Sequence, residues 1–465
     1  MLRAGPARPA ALAPNVQTDA AALNLTDGPI LPTLLRLAAP NMLAMAMTVL
    51  VGITETYTVG RLGISPLAAM ALVFPFVMLT GMLSAGAMGG GVSSAVARSL
   101  GAQQPERAQA VALHALIIGA GVGALYSLLL AVSAPWLLAL LGGKGEVLAQ
   151  GLGYAAVLFP GAILVWLLNT MASILRGTGN MRVPSAVVVG AAVLQVMLGY
   201  ALGLGLLGLP RLGMPGVALG QLLATLVGVV IFFCYLRSGR ARLTLRWHGI
   251  ALQRGLFADI LRVGAMACLS PLQAVLTMLL LAGFVARLGV LPLAGYAIGQ
   301  RLEFLLSTIA FGVGLASVPM VGMAVGAGLI ERARRIAWTA GAVSAVNLGV
   351  VGLVVALYPD LWAAMFTHDE AVLTYCRQHL HWVGPAFGFF GFGVTLFFAS
   401  QGAGKVQGPV LAATLRLVLV ALVGAWLVAR GAPAWQLFAL GAAGMIIYGV
   451  SCALALRWSD WSPSR

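Results

Sequence analysis

Long apolar segments separated by short polar breaks recur along almost the whole chain, and they restrict its fold more than any other feature. A helix needs about 20 apolar residues to cross the hydrocarbon core of a membrane. Of the 465 residues, 61% are hydrophobic and 8% are charged, whereas a soluble chain carries about 25% charged residues. We therefore predict an all-α integral membrane protein with twelve transmembrane helices, near residues 37–60, 67–97, 109–133, 149–174, 184–207, 214–236, 259–286, 293–319, 336–358, 372–400, 409–429 and 433–456.

The longest polar stretch divides these spans into two groups of six. We predict a flexible cytoplasmic tail at 1–30, an N-terminal six-helix bundle at 31–236, a cytoplasmic linker at 237–257, a C-terminal six-helix bundle at 258–457 and a cytoplasmic tail at 458–465. Most of the 27 Lys and Arg residues fall in the termini and the even-numbered connections. Because basic loops stay in the cytoplasm, we expect both termini there, in a bacterial inner membrane. The net charge of +15 then reflects topology and not nucleic-acid binding.

The two halves repeat each other in their pattern of Arg, Gly and Pro. The offset is 226 residues from Arg61 to Arg287, and 225 residues from Glu106 to Glu331. Further matches are Leu62-Gly63 with Leu288-Gly289, Pro66 with Pro292, and Pro160, Gly177, Gly179 and Pro184 with Pro385, Gly402, Gly404 and Pro409. Six spans followed by six in the same orientation predict two bundles related by a pseudo-two-fold axis along the membrane normal. This architecture is typical of transporters that work by alternating access.

Several motifs stand in the order found in the multidrug and toxic-compound extrusion (MATE) family. They are residues 35–40 (LRLAAP), 55–63 (ETYTVGRLG), 101–108 (GAQQPERA), 175–180 (LRGTGN) and 295–303 (GYAIGQRLE). The chain resembles this family over roughly residues 29–457, and is most similar to its bacterial DinF-like branch. The resemblance implies a secondary active multidrug exporter, which moves cationic or amphiphilic small molecules against protons or sodium ions.

The resemblance also implies an ion-coupling site, at Glu55 in span one, Gln195 in span five and Tyr154 in span four. A charged carboxyl at the centre of a membrane helix costs about 2.5–3.5 kcal/mol, so such residues usually have a function. Because burial favours the neutral acid, a carboxyl at this depth is suited to taking up and releasing a proton. The alternative is a structural role, with Glu55 hydrogen-bonded by Thr48, Thr58 or Gln195.

Polar and adaptable side chains of the first half are candidates for contact with a substrate. We predict substrate contacts from Glu55, Thr48, Met45, Tyr200 and Asn169. Methionine adapts to varied ligands, although core filling is its commoner use. Polar side chains inside a membrane also bond neighbouring helices without any further role.

The second half contributes one other intramembrane acid, Glu303, which lies two residues from Arg301 in span eight. Residues two apart do not share a helix face, so their partners are expected on other helices, with Arg416 a candidate for Glu303. We interpret Arg301, Glu303 and Arg416 as structural intramembrane charges, because ion-pair networks also form without a functional role.

We expect no enzymatic activity, no cofactor and no metal site. His379 and His381 are two residues apart, and no third ligand on a helical face accompanies them. Gly89-Gly90-Gly91 is not followed by the GK[ST] sequence of a phosphate-binding loop, so ATP is not the energy source within this chain. We expect protons as the coupling ion, because one carboxyl and one amide supply few of the oxygen ligands that a hard cation such as sodium prefers.

Two other classes of function are compatible with a two-bundle membrane protein. A lipid-linked-precursor flippase of the related superfamily would need a strongly cationic central cavity. A membrane scaffold that transports nothing would have large apolar side chains filling the central interface. For the exporter we expect drug-like small molecules as partners, the lipid bilayer as surroundings, and a monomer.

Overall fold

The computed structural model of the chain describes residues 25–206, 208, 210–245 and 251–462. Most of the predicted tail at 1–30 lies outside these residues, as do 246–250 of the linker. All regular secondary structure in the described part is helical. Its α-helices are α1 (Ile30–Gly60), α2 (Ile64–Gly81), α3 (Gly89–Gly101), α4 (Pro105–Leu140), α5 (Gly145–Leu158), α6 (Ala162–Gly177), α7 (Arg182–Leu204), α8 (Gly213–Arg237), α9 (Arg254–Ala267), α10 (Leu269–Ala286), α11 (Val290–Gly326), α12 (Ile330–Leu357), α13 (Asp360–Ala363), α14 (Glu370–Val383), α15 (Phe387–Gly402), α16 (Gln407–Ala429) and α17 (Ala434–Trp458).

These helices confirm the predicted twelve spans. Eleven are long and apolar enough to cross a membrane, and α5 with α6 form the twelfth, bent by 47°. The bend follows Pro160, whose ring and missing N–H interrupt a helix. Its repeat partner Pro385 lies in a short 3₁₀ helix, Gly384–Ala386, between α14 and α15 of span ten. The predicted repeat therefore places a break at the same point of both bundles.

A π-helix, Met82–Met88, joins α2 to α3 within span two. Span two runs over 38 residues, from Ile64 to Gly101, whereas its repeat partner α11 runs over 37 residues. A π-helical turn bonds residue i to i+5 and so holds one residue more than an α-helical turn. This extra residue accounts for the change of the repeat offset from 226 to 225.

The connection between the bundles and the segment after the second bundle both contain buried apolar side chains. Helix α9 begins at Arg254, four residues before the predicted start of the second bundle at 258. Leu243 and Leu245 of the linker are buried in the apolar core of the first bundle. Trp461, in the predicted tail at 458–465, is 1% exposed and packs in the core of the second bundle. Both segments are thus anchored by apolar side chains, which short windows of sequence do not reveal.

Both ends of the described chain, with the linker, lie on one side of the molecule, because an even number of spans separates them. We call this side the terminal face and the other side the far face. Helices α3 and α11 cross where they reach the terminal face. A Cβ atom at Gly101 would collide with the Met323 carbonyl, and one at Gly326 would collide with the Arg98 carbonyl. The two glycines, which are repeat partners, thus let the backbones of the two bundles touch.

All hydrogen bonds between the two bundles, among the residues that the structure describes, lie in the half of the molecule next to the terminal face. Gln401 Nε2 donates to the Ala87 carbonyl over 2.6 Å, and Ser94 Oγ donates to the Gly402 carbonyl over 2.9 Å. Arg332 donates to the carbonyls of Leu25 and Gly28. The hydrogen-bonded contact between the bundles therefore lies on the side of the terminal face.

Candidate functional site

Glu55 lies on α1, in the part of the helix that approaches the far face. It is half-buried, and its Oε1 accepts a hydrogen bond from Gln195 Nε2 on α7 over 2.6 Å. Five residues separate Glu55 from the end of α1 at Gly60, which is about 7.5 Å along the helix axis. The carboxyl group therefore lies inside the first bundle, a short distance from its far-face end. It is bonded to the Gln195 amide, and no basic side chain among the described residues forms an ion pair with it.

Small residues hold α7 in the position that brings Gln195 to Glu55. A Cβ at Gly220 of α8 would collide with the backbone of Gly199, one turn after Gln195. Such close approach between helices is typical of membrane bundles. Gly199 contributes no side chain next to Gln195. The site therefore contains one carboxyl group, that of Glu55.

The hydroxyl groups near Glu55 bond to their own helix. Thr48 Oγ1 donates to the Ala44 carbonyl over 3.0 Å, and Thr58 Oγ1 donates to the Thr54 carbonyl over 2.8 Å. Of the three partners that the structural interpretation of Glu55 named, only Gln195 bonds to it.

Tyr154 belongs to α5 and is 3% exposed. It packs in the apolar cluster of the first bundle that also contains Val59 of α1 and Val217 of α8. Within the described part of the chain, no hydrogen bond joins its hydroxyl to Glu55 or Gln195. Its predicted role in ion coupling stays a prediction.

The other residues predicted to contact a substrate do not form one cluster. Tyr200 accepts a hydrogen bond from Arg61 Nη1 over 2.6 Å at the far end of α1. Asn169 of α6 donates to Ser84 Oγ in the π-helix over 2.8 Å. Met45 is partly buried against the apolar cluster that the two bundles share. Thr48 is exposed.

Arg61 is a residue of the site that the sequence alone did not indicate. It follows α1 directly and is exposed near the far face, six residues after Glu55. Its recurrence as Arg287 marks it as part of the repeat, but no sequence signal pairs it with Tyr200. The Arg61–Tyr200 pair therefore places a cationic group at the far-face end of the first bundle, farther along α1 than the carboxyl group of Glu55.

The intramembrane charges of the second bundle separate into a buried pair and an exposed residue. Arg416 Nη2 lies 4.0 Å from Glu303 Oε1, and the two side chains are 11% and 13% exposed. Gln300 Nε2 donates to Glu303 Oε2 over 2.8 Å, and the Arg416 guanidinium lies 5.4 Å from the centre of the Phe390 ring. The predicted contact between Arg416 and Glu303 is present.

Arg301, the third of the predicted intramembrane charges, lies on a different side of α11 from Glu303. Its side chain is exposed, and its guanidinium lies 5.4 Å from the centre of the Phe366 ring. The reason is its position on α11, because a residue two places from Glu303 points away from the bundle interior.

The histidines considered as metal ligands also separate. His379 is 1% exposed and packs between the rings of Tyr296 and Phe438, whereas His381 is exposed. Among the described residues, no group of three or more His, Cys, Asp and Glu side chains lies close enough together to hold a metal ion.

The sequence model of one protein family matches two segments of the chain, residues 40–201 and 267–427. One segment falls in each bundle, and together they cover more than half of the chain. The chain belongs to the MatE family. Proteins of this family are transporters and not enzymes, and they are built from twelve membrane helices.

Curated members of the MatE family match most of the chain at low identity. A probable multidrug resistance protein NorM from Thermotoga maritima is 25% identical over 381 residues, which are 81% of each chain. An FAD transporter from Shewanella oneidensis is 24% identical over 398 residues, covering 86% of this chain and 88% of the relative.

A solved structure of the family shares the whole architecture. It is an outward-facing multidrug resistance MATE transporter of the MOP superfamily, with a TM-score of 0.84 and 25% identity, and it covers 94% of this chain and 97% of the other. The chain is thus a multi-pass membrane transporter of the MatE family over nearly its full described length.

Proposed function

We propose that this protein is a secondary active multidrug exporter, which moves cationic or amphiphilic small molecules out of a bacterial cell against protons. The observation on which this rests is the half-buried carboxyl group of Glu55, which is bonded to Gln195 and has no cationic partner among the described residues. A negative charge in a cleft of low dielectric attracts either a proton or an organic cation. The two then compete for one group, which is the requirement for antiport.

The distribution of basic residues supports an orientation with the terminal face in the cytoplasm. Arg98, Arg107, Arg332, Arg334 and Arg335 all lie at or near the terminal-face ends of their helices. Basic loops remain on the cytoplasmic side of the inner membrane. Because the bundles are bonded to each other on the terminal-face side, we infer a cleft between them that is open to the outside, which is the state that accepts a proton and releases a substrate. We propose a monomer as the working unit.

The hydrogen bonds of the site favour a proton over a sodium ion. Gln195 turns its NH₂ group to Glu55, and the hydroxyls of Thr48 and Thr58 donate to carbonyls of their own helix. A hard cation prefers several oxygen ligands around it, and one carboxyl group offers two. A carboxyl group needs no further ligand to take up a proton.

Transport would follow from the change in charge at Glu55. In the outward-open state a proton from outside neutralises the carboxyl group, which lowers the affinity for a bound cation and releases it. The neutral group then no longer opposes burial, so closure of the far face becomes easier. Opening of the terminal face exposes Glu55 to the cytoplasm, where it loses the proton and binds the next cation.

Comparison with relatives named for multidrug resistance favours drug export over the flippase alternative. The relative named an FAD transporter gives a reason to include an anionic flavin among the compounds that are tested. An export site dominated by Glu55 should accept organic cations and reject FAD.

Efflux of a fluorescent organic cation from cells, or its uptake into everted membrane vesicles, tests the proposal. A proton gradient should drive transport by the unmodified protein, and Glu55→Gln should lower the initial rate at least tenfold. Glu146→Gln is the matched control, because Glu146 is an exposed acid of the same bundle whose carboxylate, among the described residues, accepts a hydrogen bond only from Ser65. Proton-driven transport by Glu55→Gln at the unmodified rate would contradict the role of Glu55, and transport driven by a sodium gradient alone would contradict the choice of ion.

A further inference from the structure

One acidic side chain forms all the ion pairs that join the two bundles within the described part of the chain. Asp259 belongs to α9, at the start of the second bundle. Its Oδ1 accepts a hydrogen bond from Arg98 Nη2 over 2.7 Å, and its Oδ2 lies 3.7 Å from Arg107 Nη2. Both arginines belong to the first bundle, on α3 and α4. The carboxylate therefore bridges the interface with two cations of the opposite bundle.

The ion pair is partly shielded from water and is tied to a second crossing. The side chains of Arg98 and Asp259 are 18% and 30% exposed. Arg98 Nη1 also donates to Ser94 Oγ, and this hydroxyl donates to the Gly402 carbonyl of the second bundle. Loss of the Asp259 contact would free Arg98 and remove its support for the Ser94 bond.

The pseudo-two-fold repeat shows that this contact has no ionic counterpart. Arg98 corresponds to Met323 at an offset of 225, and Asp259 corresponds to Thr33 at an offset of 226. Met323 is 5% exposed and lies in the core cluster that also contains Leu25. A Cβ at Gly179 would meet both the Leu25 side chain and the Met323 methyl group. One side of the terminal-face closure thus pairs an acid with two cations. On the symmetry-related side, Arg332, the repeat partner of Arg107, donates to backbone carbonyls of Leu25 and Gly28, and Met323 contributes an apolar contact in place of Arg98.

The two kinds of contact respond differently when the face opens. Separation of an apolar contact exposes carbon to water and is opposed throughout. Separation of a partly exposed ion pair returns water to both charges, and this hydration offsets most of the lost attraction. An ionic contact at this position is therefore strong enough to bias the closed state and weak enough to break in each transport cycle.

We propose that the pairing of Asp259 with Arg98 and Arg107 is a latch that sets the fraction of molecules with an open terminal face. The proposal concerns the equilibrium between two conformations, and it holds for any substrate or coupling ion. Removal of the Asp259 charge should shift this equilibrium towards the terminal-face-open state. The packing inside each bundle should stay the same, because the latch contributes only to contacts between bundles.

Distance measurements between spin labels on the two bundles test the latch directly. Gln104 and Leu329 are exposed residues at the terminal face, one in each bundle. Labels at cysteines introduced there, in a variant without Cys234, Cys268, Cys376 and Cys452, report the opening of the face. Asp259→Asn should raise the ratio of long to short distances roughly tenfold, as one charge-assisted hydrogen bond is replaced by a neutral one.

The control and the partner variants make the test specific. Glu106→Gln removes an exposed acid on the same face that forms no ion pair among the described residues, and it should leave the distances unchanged. Arg98→Gln should act like Asp259→Asn, and the two changes together should have little more effect than either alone. Arg107→Gln should have a smaller effect, because its nitrogen lies 3.7 Å away and not 2.7 Å.

Two outcomes would overturn the proposal. One is a distance distribution for Asp259→Asn that matches the Glu106→Gln control. The other is full additivity of Asp259→Asn and Arg98→Gln, since independent effects would mean that the two residues do not act as a pair. If Asp259→Asn does not fold, the two arginine variants decide the question. A larger shift of the spin-label distances for Arg98→Gln than for Arg107→Gln supports the latch, and equal shifts contradict it.

Discussion

At the scale of single residues, the two acids inside the spans have opposite surroundings. Glu55 has an amide donor and remains half-buried, whereas Glu303 has an amide donor, a guanidinium group and little exposure. The counterpart of Glu55 in the second bundle is Leu281, which is 5% exposed. A charge that already has a permanent counter-ion gains little from a mobile one, so ion coupling is expected in the first bundle.

The pairing of Glu303 with Arg416 leads to a prediction about stability. Arg416→Gln should lower the free energy of unfolding by about 3 kcal/mol, because it leaves a buried carboxylate without its counter-ion. The double variant Glu303→Gln with Arg416→Gln should recover most of this loss and keep transport activity. Chemical denaturation in detergent and the efflux assay measure the two effects. A double variant that folds normally but does not transport would assign the pair to the mechanism.

Sequence reasoning reached the pairing of Glu55 with Gln195 because both residues occupy motif positions of the family. It did not reach the bond between Arg61 and Tyr200, since a partner 139 residues away depends on how α1 and α7 are rotated against each other. A span can be recognised from composition, but the face that a side chain presents depends on packing.

At the scale of helices, the crossing of α3 with α11 depends on residues that have no side chain. Gly101 faces the Met323 carbonyl and Gly326 faces the Arg98 carbonyl. Closure of the terminal face therefore rests on contact between two backbones. Apolar composition predicted both spans, but it did not predict which glycines lie at the crossing, because the chain has 59 of them.

Substitution of one crossing glycine should be costly. Gly101→Ala places a methyl group against the Met323 carbonyl, and overpacking of this kind costs about 1–3 kcal/mol. We expect a lower melting temperature of the purified protein, or a shift of the spin-label distances towards an open terminal face. Gly121→Ala is the matched control, since nothing lies within 4 Å of a Cβ at this position of α4.

The control should be neutral or slightly stabilising, because alanine favours a helix by about 1 kcal/mol over glycine. Equal effects of Gly101→Ala and Gly121→Ala on melting and on the distances would mean that the crossing tolerates a side chain.

At the scale of the whole molecule, the polar contacts that the structure describes between the two bundles are confined to one half. Their shared hydrogen bonds, among the described residues, all lie near the terminal face. Two apolar clusters belong to one bundle each, whereas the largest cluster joins Leu34 and Ala97 of the first bundle with Val313 and Met320 of the second. This arrangement is that of two bodies that tilt about a contact between them, as in transporters built from repeats.

Tilting of rigid bundles predicts that the two faces change in opposite directions. Lys144 and Arg287 are exposed at the far face, one in each bundle. Spin labels at these positions should come closer together in Asp259→Asn, to the same extent that the terminal-face labels move apart. An unchanged far-face distance beside an opened terminal face would instead indicate local unfolding near Asp259.

The additional residue in the π-helix has a consequence for the ancestry of the chain. If two identical halves are joined in one chain, each half can form either of the two bundles that the pseudo-two-fold axis relates. Here Met82–Met88 has no matching π-helix in α11, and Asp259 faces an arginine whose equivalent is a methionine. A chimaera that joins two first halves would place two copies of Arg98 at the closed face and would lack the Asp259 carboxylate that pairs with Arg98. The halves have become complementary, and neither can replace the other.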